Sequence, residues 1–355
     1  MIIRGKYLIA GLVALPVIGL IVVWLGVVGV GASGGHWAVT DWFLHLAMRN
    51  SVRTAALSVE APPLDDPALL PLAAGHYETG CAICHGSPAQ PRSEAVLAML
   101  PPPPDLKGVV DTWTDEELFT IIQHGVKYTG MPAWPTQLRP DEAWAMVAFL
   151  RELPQMDAAR YHALSGLDPP PMLGEASPMP ITCESCHSEQ RLSAGSLIPR
   201  LAGQSEAYLL ESLRAYADGR RPSGAMGVAV GLLSDDALSE LARDYARQRK
   251  PELGPESKSE TANVELLEKG KILAEQGRPA DRIPACLSCH EKEGRNPLYP
   301  RLTGQSAPYM ARQLKLFNEA VRGGTAYSHL MTEVARKLTA EDIAAVSAYF
   351  AERDR

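Results

Sequence analysis

The sequence predicts an all-α chain in which an N-terminal transmembrane helix is followed by three consecutive domains. Three observations lead to this prediction. The pentapeptide C-x-x-C-H occurs three times, with its first cysteine at positions 81, 183 and 286. Residues 7–31 contain no charged side chain. No stretch alternates β-branched and polar residues for long enough to form a sheet, and the 29 prolines and 29 glycines indicate many loops and short helices.

The pentapeptide is the attachment signature of haem c. Two thiols in this spacing reach the two vinyl groups on one edge of a porphyrin, and the adjacent imidazole turns onto the iron. The three copies use all six cysteines, which leaves no second pair for a zinc site, and a disulfide in so short a loop would be strained. We therefore predict three covalently attached haem c groups, held by Cys81, Cys84, His85, Cys183, Cys186, His187, Cys286, Cys289 and His290.

Residues 1–33 are expected to form an uncleaved membrane anchor. The uncharged segment 7–31 is long enough to cross a bilayer core as a helix, which takes about 20 residues. The apolar region of a cleaved signal peptide has only about 7–15 residues, although the small residues at 31–33 leave cleavage as an alternative. Arg4 and Lys6 precede the segment, so the positive-inside rule places the N-terminus in the cytoplasm and the remaining chain outside it.

Residues 34–71 connect the anchor to the first domain. Residues 36–58 are predicted to form a partly amphipathic helix that rests on the membrane surface or on a partner. Residues 61–71 are predicted to form a proline-rich, semi-rigid tether. His36 and His45 raise the alternative of a quinone or haem b site, but a single helix cannot enclose either group, so we interpret them as interfacial polar residues.

The cysteine intervals divide the rest of the chain into three domains, predicted at 72–160, 174–250 and 263–355. Only 6% of the residues are aromatic, which fits cores that are built around porphyrin. In the first domain Thr114 and Glu117 form a predicted capping box at the start of a helix. The net charge of −7 and the lack of a basic run exclude a nucleic-acid partner.

The second and third domains are internal repeats. P-R-L-A-G-Q-S at 199–205 matches P-R-L-T-G-Q-S at 300–306, and a tyrosine follows each heptad at the same distance. Both repeats end in a helix with an acidic start, and Thr339 with Asp342 is predicted to cap the last one. The segment 248–263 between the repeats is polar and is predicted to be a linker or a surface loop.

Methionine is the expected sixth ligand of each iron, because a thioether is soft and suits iron(II). The candidates are Met131 in T-G-M-P, Met226 in G-A-M-G, and Met331 before the last helix. They follow their motifs at similar distances. His124 is the rival of Met131, and His329 is the rival of Met331; both are polar residues close to the preferred methionine.

Beyond residue 72 the chain resembles three class I c-type cytochrome domains with histidine and methionine as iron ligands. The last two resemble a di-haem cytochrome of the cytochrome c4 type through C-x-x-C-H, P-R-L-x-G-Q-S-x-x-Y and the methionine loop. The first resembles single-haem domains with a G-M-P-A-W ligand loop, here residues 130–134. In that family the proline ahead of the Gly-Gln motif orients the imidazole through its carbonyl. The resemblance assigns this role to Pro199 and Pro300, and leaves prolines 101–104 as alternatives in the first domain.

Three six-coordinate sites on an anchored chain favour an electron-transfer protein and not an enzyme. Since bacteria attach haem c in the periplasm, we expect a single-pass protein of the bacterial inner membrane with periplasmic haem domains. The expected donor is a quinol-oxidising complex or a periplasmic dehydrogenase, and the expected acceptor is a terminal oxidase or a soluble cytochrome. One alternative is a haem enzyme of the di-haem peroxidase type, which would need an open iron site. The other is a fixed cytochrome subunit of a dehydrogenase complex.

Overall fold

The computed structural model describes residues 5–26, 29–166, 181–188, 192, 195–248 and 263–353. Within these ranges the chain forms helices and no sheet, and an isolated bridge pairs Arg278 with Ile283. The predicted all-α fold class is therefore confirmed for the described residues. The predicted linkers, 167–180 and most of 248–263, lie outside them.

Two long helices open the chain, α1 (Gly5–Trp24) and α2 (Ala38–Ala56). Among the residues that the structure describes, no helix has both the length and the apolar character needed to cross a membrane. Helix α2 packs on the unit that follows it: Val52 is buried, and the guanidinium carbon of Arg49 lies 4.8 Å from the centre of the Trp113 ring. The predicted helix is confirmed, and it has a packing partner within the chain.

The first unit surrounds the first C-x-x-C-H motif. Its helices are α3 (Leu69–His76), α4 (Ala82–His85), α5 (Glu94–Leu97), α6 (Leu106–Val109), α7 (Asp115–His124), α8 (Pro140–Glu152) and α9 (Ala158–Ser165). Helix α3 packs against α8 and α9, and Tyr77, Phe149 and Tyr161 are fully buried between them. The side chain of Thr114 accepts a hydrogen bond from the backbone of Glu117, whose carboxylate accepts one in return, so this capping box is confirmed.

The second and third units repeat a simpler arrangement around the other two motifs. The helices of the second are α10 (Ile181–His187), α11 (Glu206–Ala217), α12 (Gly224–Val230) and α13 (Asp235–Arg247); those of the third are α14 (Val264–Gln276), α15 (Leu287–His290), α16 (Ala307–Asn318), α17 (Ser328–Ala335) and α18 (Ala340–Glu352). Helix α11 packs against α13 around Leu209 and Tyr245, and α14 packs against α18 around Phe350. The capping box of Thr339 and Asp342 at the start of α18 is confirmed.

In the described part of the chain, each motif lies beside its own cluster of buried apolar side chains. The first cluster extends from Val59 to Leu164, and so reaches beyond the predicted bounds of 72–160 at both ends. Ala61 and Leu64 of the predicted tether pack against it. The tether is thus attached to the first unit along part of its length.

Candidate haem sites

The three motif histidines share one hydrogen-bond arrangement, in which ring Nδ1 lies beside the carbonyl of a proline. The distances are 3.0 Å from His85 to Pro104, 3.1 Å from His187 to Pro199, and 2.8 Å from His290 to Pro300. A carbonyl oxygen can only accept, so Nδ1 carries the hydrogen in each ring. Nε2 is then the unprotonated nitrogen that can bind a metal, and the carbonyl fixes the orientation of the ring. Among prolines 101–104, the structure places Pro104 in this position.

Burial lowers the pKa of all three imidazoles, and the hydrogen bonds to the proline carbonyls oppose this shift only in part. Neutral imidazole, the form that coordinates iron, is therefore favoured near neutral pH. Burial also raises the pKa of the Cys81 thiol to about 12, with a contribution from Cys84, and that of the Cys286 thiol to about 11. None of the six cysteines is in a disulfide.

A cavity of about 830 Å³ is lined mainly by the second and third units, including both of their motifs, and the first unit contributes Gly75, Arg139 and Glu142 to it. Its volume is typical of sites that bind organic cofactors. The predicted site residues in its lining are Cys183, Cys186, His187, Pro199, Met226, Cys286, Cys289, His290, Pro300 and Met331. The structure thus brings the candidate methionine of each repeat into the same cavity as its motif. His329 is exposed and does not line the cavity.

Two arginines of the lining, the buried Arg221 and the half-buried Arg322, add positive charge to this cavity. Arg221 is 5% exposed, and both Arg221 and Arg322 donate to the Gln313 side chain, at 3.3 Å and 2.7 Å. Among the described residues neither forms an ion pair with a carboxylate. Burial alone would raise the pKa of Tyr208, but the two guanidinium groups beside it lower the pKa overall. Buried cations need anionic partners, and the propionate groups of haem would supply them, so the lining fits the cofactor.

The predicted haem ligands of the first site, Cys81, Cys84, His85 and Met131, do not line this cavity. Met131 lies in a loop after α7: its N–H donates to Thr129 Oγ1 at 3.1 Å, and its carbonyl accepts from Val126 N–H at 3.1 Å. Gly125 starts the loop with a positive φ of 64°, which ends α7. His124, the rival ligand, is exposed at the end of that helix.

Two glutamines join the second and third units in a reciprocal arrangement. The Gln305 side chain accepts from the Arg200 N–H at 3.0 Å and donates to the Arg200 carbonyl at 2.6 Å. The Gln204 side chain does the same with Arg301, at 2.9 Å for both bonds. Gln305 of the third unit therefore holds the peptide next to Pro199, whose carbonyl orients His187 of the second unit. Gln204 of the second unit holds the peptide next to Pro300, whose carbonyl orients His290 of the third. The matching G-Q in the two heptads was the sequence signal for these residues, but nothing in it indicated their partners.

Sequence reasoning also missed the contacts at the start of α8. Asp141 pairs with Arg312 of the third unit, and Glu142 bonds to Ser223 and Gly224 of the second. In the sequence, two acids after a proline indicate only a helix N-terminus.

Comparison with known proteins identifies the family. Residues 70–150 match the family described as "Cytochrome C oxidase, cbb3-type, subunit III". Cytochrome c4 of Azotobacter vinelandii is 38% identical over 179 residues, which are 47% of this chain and 82% of that protein. The chain belongs to the cytochrome c family, as a relative of the cytochromes c4.

Other relatives agree. The thiosulfate dehydrogenase electron acceptor of Stutzerimonas stutzeri is 30% identical over 181 residues, which are 50% of this cytochrome and 82% of that protein. The crystal structure of reduced recombinant cytochrome c4 from Pseudomonas stutzeri is 32% identical and covers 48% of this chain and 92% of that one, with a TM-score of 0.40. On the sequence relatives, this cytochrome is an electron-transfer protein that resembles cytochrome c4, and its three cysteine pairs fit three haem c groups.

Proposed function

We propose that the protein is a membrane-anchored cytochrome c with three haem sites, which carries electrons at the periplasmic face of the bacterial inner membrane. The observation that carries the proposal is the repeated arrangement of the motif histidines, each with Nδ1 bonded to a proline carbonyl and Nε2 left for a metal. Haem c supplies reversible one-electron chemistry at its iron. The chain contributes the thiols that attach the group, the fixed imidazoles, and buried surroundings that set the potential.

In this proposal Met131, Met226 and Met331 are the sixth ligands. Met226 and Met331 line the cavity that contains their motifs, and the Met131 loop is closed by hydrogen bonds on both sides of the methionine. Thioether ligation raises the reduction potential and closes the iron to small molecules. These properties suit electron transfer better than catalysis.

The proposed anchor is the uncharged segment 7–31, with Arg4 and Lys6 on its cytoplasmic side. Apolar side chains of α1 are exposed in the described part of that helix, from Leu12 to Trp24. Exposed apolar surface of this kind needs either a partner or a bilayer. A single-pass topology would keep all three haem sites on the periplasmic side.

For the partners, we propose a periplasmic dehydrogenase as donor and a terminal oxidase or a soluble cytochrome as acceptor. The support for the donor is that two relatives, from Stutzerimonas stutzeri and Thiomonas intermedia, are named thiosulfate dehydrogenase electron acceptors. The support for an oxidase as acceptor is the match of residues 70–150 to an oxidase subunit family.

The test is the haem stoichiometry of the chain purified from membranes, measured by the pyridine haemochrome spectrum and by intact mass. We expect three covalent haems. Replacing Cys183 and Cys186 by serine should remove one of them, and the control Ser185→Ala should keep all three. Fewer than three haems in the wild type would refute the proposal. A chain without residues 1–33, exported by a cleaved signal, should leave the membrane fraction for the soluble periplasm.

A further inference from the structure

The start of α8, in the first unit, is bonded to both of the other units. The Arg139 guanidinium donates to the Pro222 carbonyl of the second unit at 3.1 Å. Asp141 accepts from Arg312 of the third unit, with an Nε–Oδ2 distance of 2.7 Å. Glu142 is only 6% exposed, so this helix start is buried in an interface between units.

The Glu142 carboxylate accepts hydrogen bonds from both sides of that interface. On the side of the second unit, Ser223 Oγ donates at 2.7 Å and the Gly224 N–H at 2.6 Å. On its own side, Trp134 Nε1 donates at 3.3 Å, and the Arg139 guanidinium lies 3.2 Å away and balances the charge. A buried carboxylate with this many charge-assisted bonds holds its partners strongly.

The groups that Glu142 holds belong to the two methionine loops. Ser223 is the N-cap of α12, and its Oγ also accepts from the N–H of Met226 at 3.1 Å. The carboxylate, the hydroxyl and the Met226 backbone thus form one continuous hydrogen-bonded chain. Trp134 lies three residues after Met131, in the ligand loop of the first unit.

Steric contacts show how closely the first unit approaches the second site. A Cβ on Gly224 would overlap the Trp134 indole, and a Cβ on Gly75 would lie 2.6 Å from Cys186 Sγ. Two glycines of different units therefore permit contacts that an alanine would block. The first unit is packed directly against a cysteine and the methionine loop of the second site.

From these contacts we propose that Glu142 of the first unit is a positioning residue for Met226 of the second. The carboxylate fixes the first turn of α12 through Ser223 and Gly224, and so fixes the methionine that the proposed function makes an iron ligand. The ligation and the potential of the second site then depend on a side chain of the first unit. The Met131 loop depends on it less, because Thr129 and Val126 supply bonds of its own.

The test compares Glu142→Ala and Glu142→Gln with Glu152→Gln, a control at the far end of the same helix, where the side chain is 44% exposed. In the reduced holoprotein, proton NMR resolves the ring-current-shifted methyl signal of each axial methionine, and a Met226→His variant assigns one of them. We expect Glu142→Ala to lose or broaden the Met226 signal and to leave the Met331 signal unchanged. Glu142→Gln should keep the signal and raise the potential of the second site, because a nearby negative charge is removed. The control should do neither.

A second pair of variants tests the same idea from the other side of the interface. Gly224→Ala should disturb the Met226 signal, whereas Gly227→Ala should not, because its Cβ would meet only the Tyr216 carbonyl at 3.9 Å. A Met226 signal and a second potential that are both unchanged in Glu142→Ala and Glu142→Gln would overturn the inference. A wild type without three haems or without a Met226 signal would instead refute the proposed function on which the inference rests.

Discussion

Replacing each interface glutamine by alanine should destabilise the protein by clearly different amounts, although the two residues are related by the internal repeat. Gln305→Ala removes the partners of the Arg200 N–H and carbonyl, and Gln204→Ala removes those of Arg301. Arg200 is 7% exposed, whereas Arg301 is exposed. The bonds to the Arg200 backbone are buried and those to the Arg301 backbone are partly buried, so water replaces the lost partners more easily at Arg301.

The magnitudes follow from what happens to the released backbone groups. A buried polar group without a partner costs about 1–3 kcal/mol, so the two groups at Arg200 give a loss of about 2–6 kcal/mol for Gln305→Ala. A hydrogen bond that water can replace is worth about 0.5–1.5 kcal/mol, so losing the two bonds of Gln204 in Gln204→Ala should cost about 1–3 kcal/mol. We expect Gln305→Ala to be the more destabilising substitution by about 1–3 kcal/mol.

Guanidinium chloride unfolding of the holoprotein, followed by far-UV circular dichroism, measures the difference as a shift in midpoint. Gln276→Ala, at the exposed end of α14, is the matched control and should shift the midpoint little. Equal losses, or a larger loss for Gln204→Ala, would show that the burial of Arg200 does not decide the energy of this interface.

Three further predictions concern the units separately. The hydrogen-bonded salt bridge to Arg278 holds the pKa of Asp342 far below its usual value of 3.8. The stability that the ionised carboxylate contributes is therefore present above about pH 4 and is lost as the pH falls further. The difference in melting temperature between wild type and Asp342→Asn should narrow below about pH 4. Gly75→Ala should destabilise the protein by about 1–3 kcal/mol in denaturant unfolding, because the new methyl group overlaps Cys186 Sγ. Thr114→Ala removes the N-cap of α7 and should cost about 1 kcal/mol in the same assay.

Each of these has a contrary outcome. A constant gap for Asp342→Asn between pH 7 and pH 3 would mean that folding does not lower the pKa of this carboxyl. Gly108→Ala is the control for Gly75→Ala: it has open space around its Cβ and should stabilise its helix slightly, so a stabilising Gly75→Ala would contradict the packing. An unchanged midpoint in Thr114→Ala would show that α7 does not need its cap.

The sequence was informative wherever the signal was local. C-x-x-C-H, the two capping boxes and the repeated heptad each specify chemistry within a few residues, and the structure has the helices and caps that they predict. Pro104 could not be chosen among four consecutive prolines, because only the fold decides which carbonyl faces His85. The partners of Glu142 could not be predicted either, because Ser223 lies 81 residues away and no local pattern connects the two.

The bonds from Asp141 to Arg312 and from Glu142 to Ser223 also bear on how the chain can be dissected. A shortened protein that keeps only the second and third units would expose the Arg312 guanidinium to solvent without the Asp141 carboxylate. It would also expose the Ser223 hydroxyl and the Gly224 N–H, which Glu142 covers in the full chain. In such a protein the turn that carries Met226 would lose its hydrogen bonds to the first unit. Redox titrations of the shortened protein would therefore not give the potential that the proposed second haem site has in the full chain. That potential has to be measured with the first unit present.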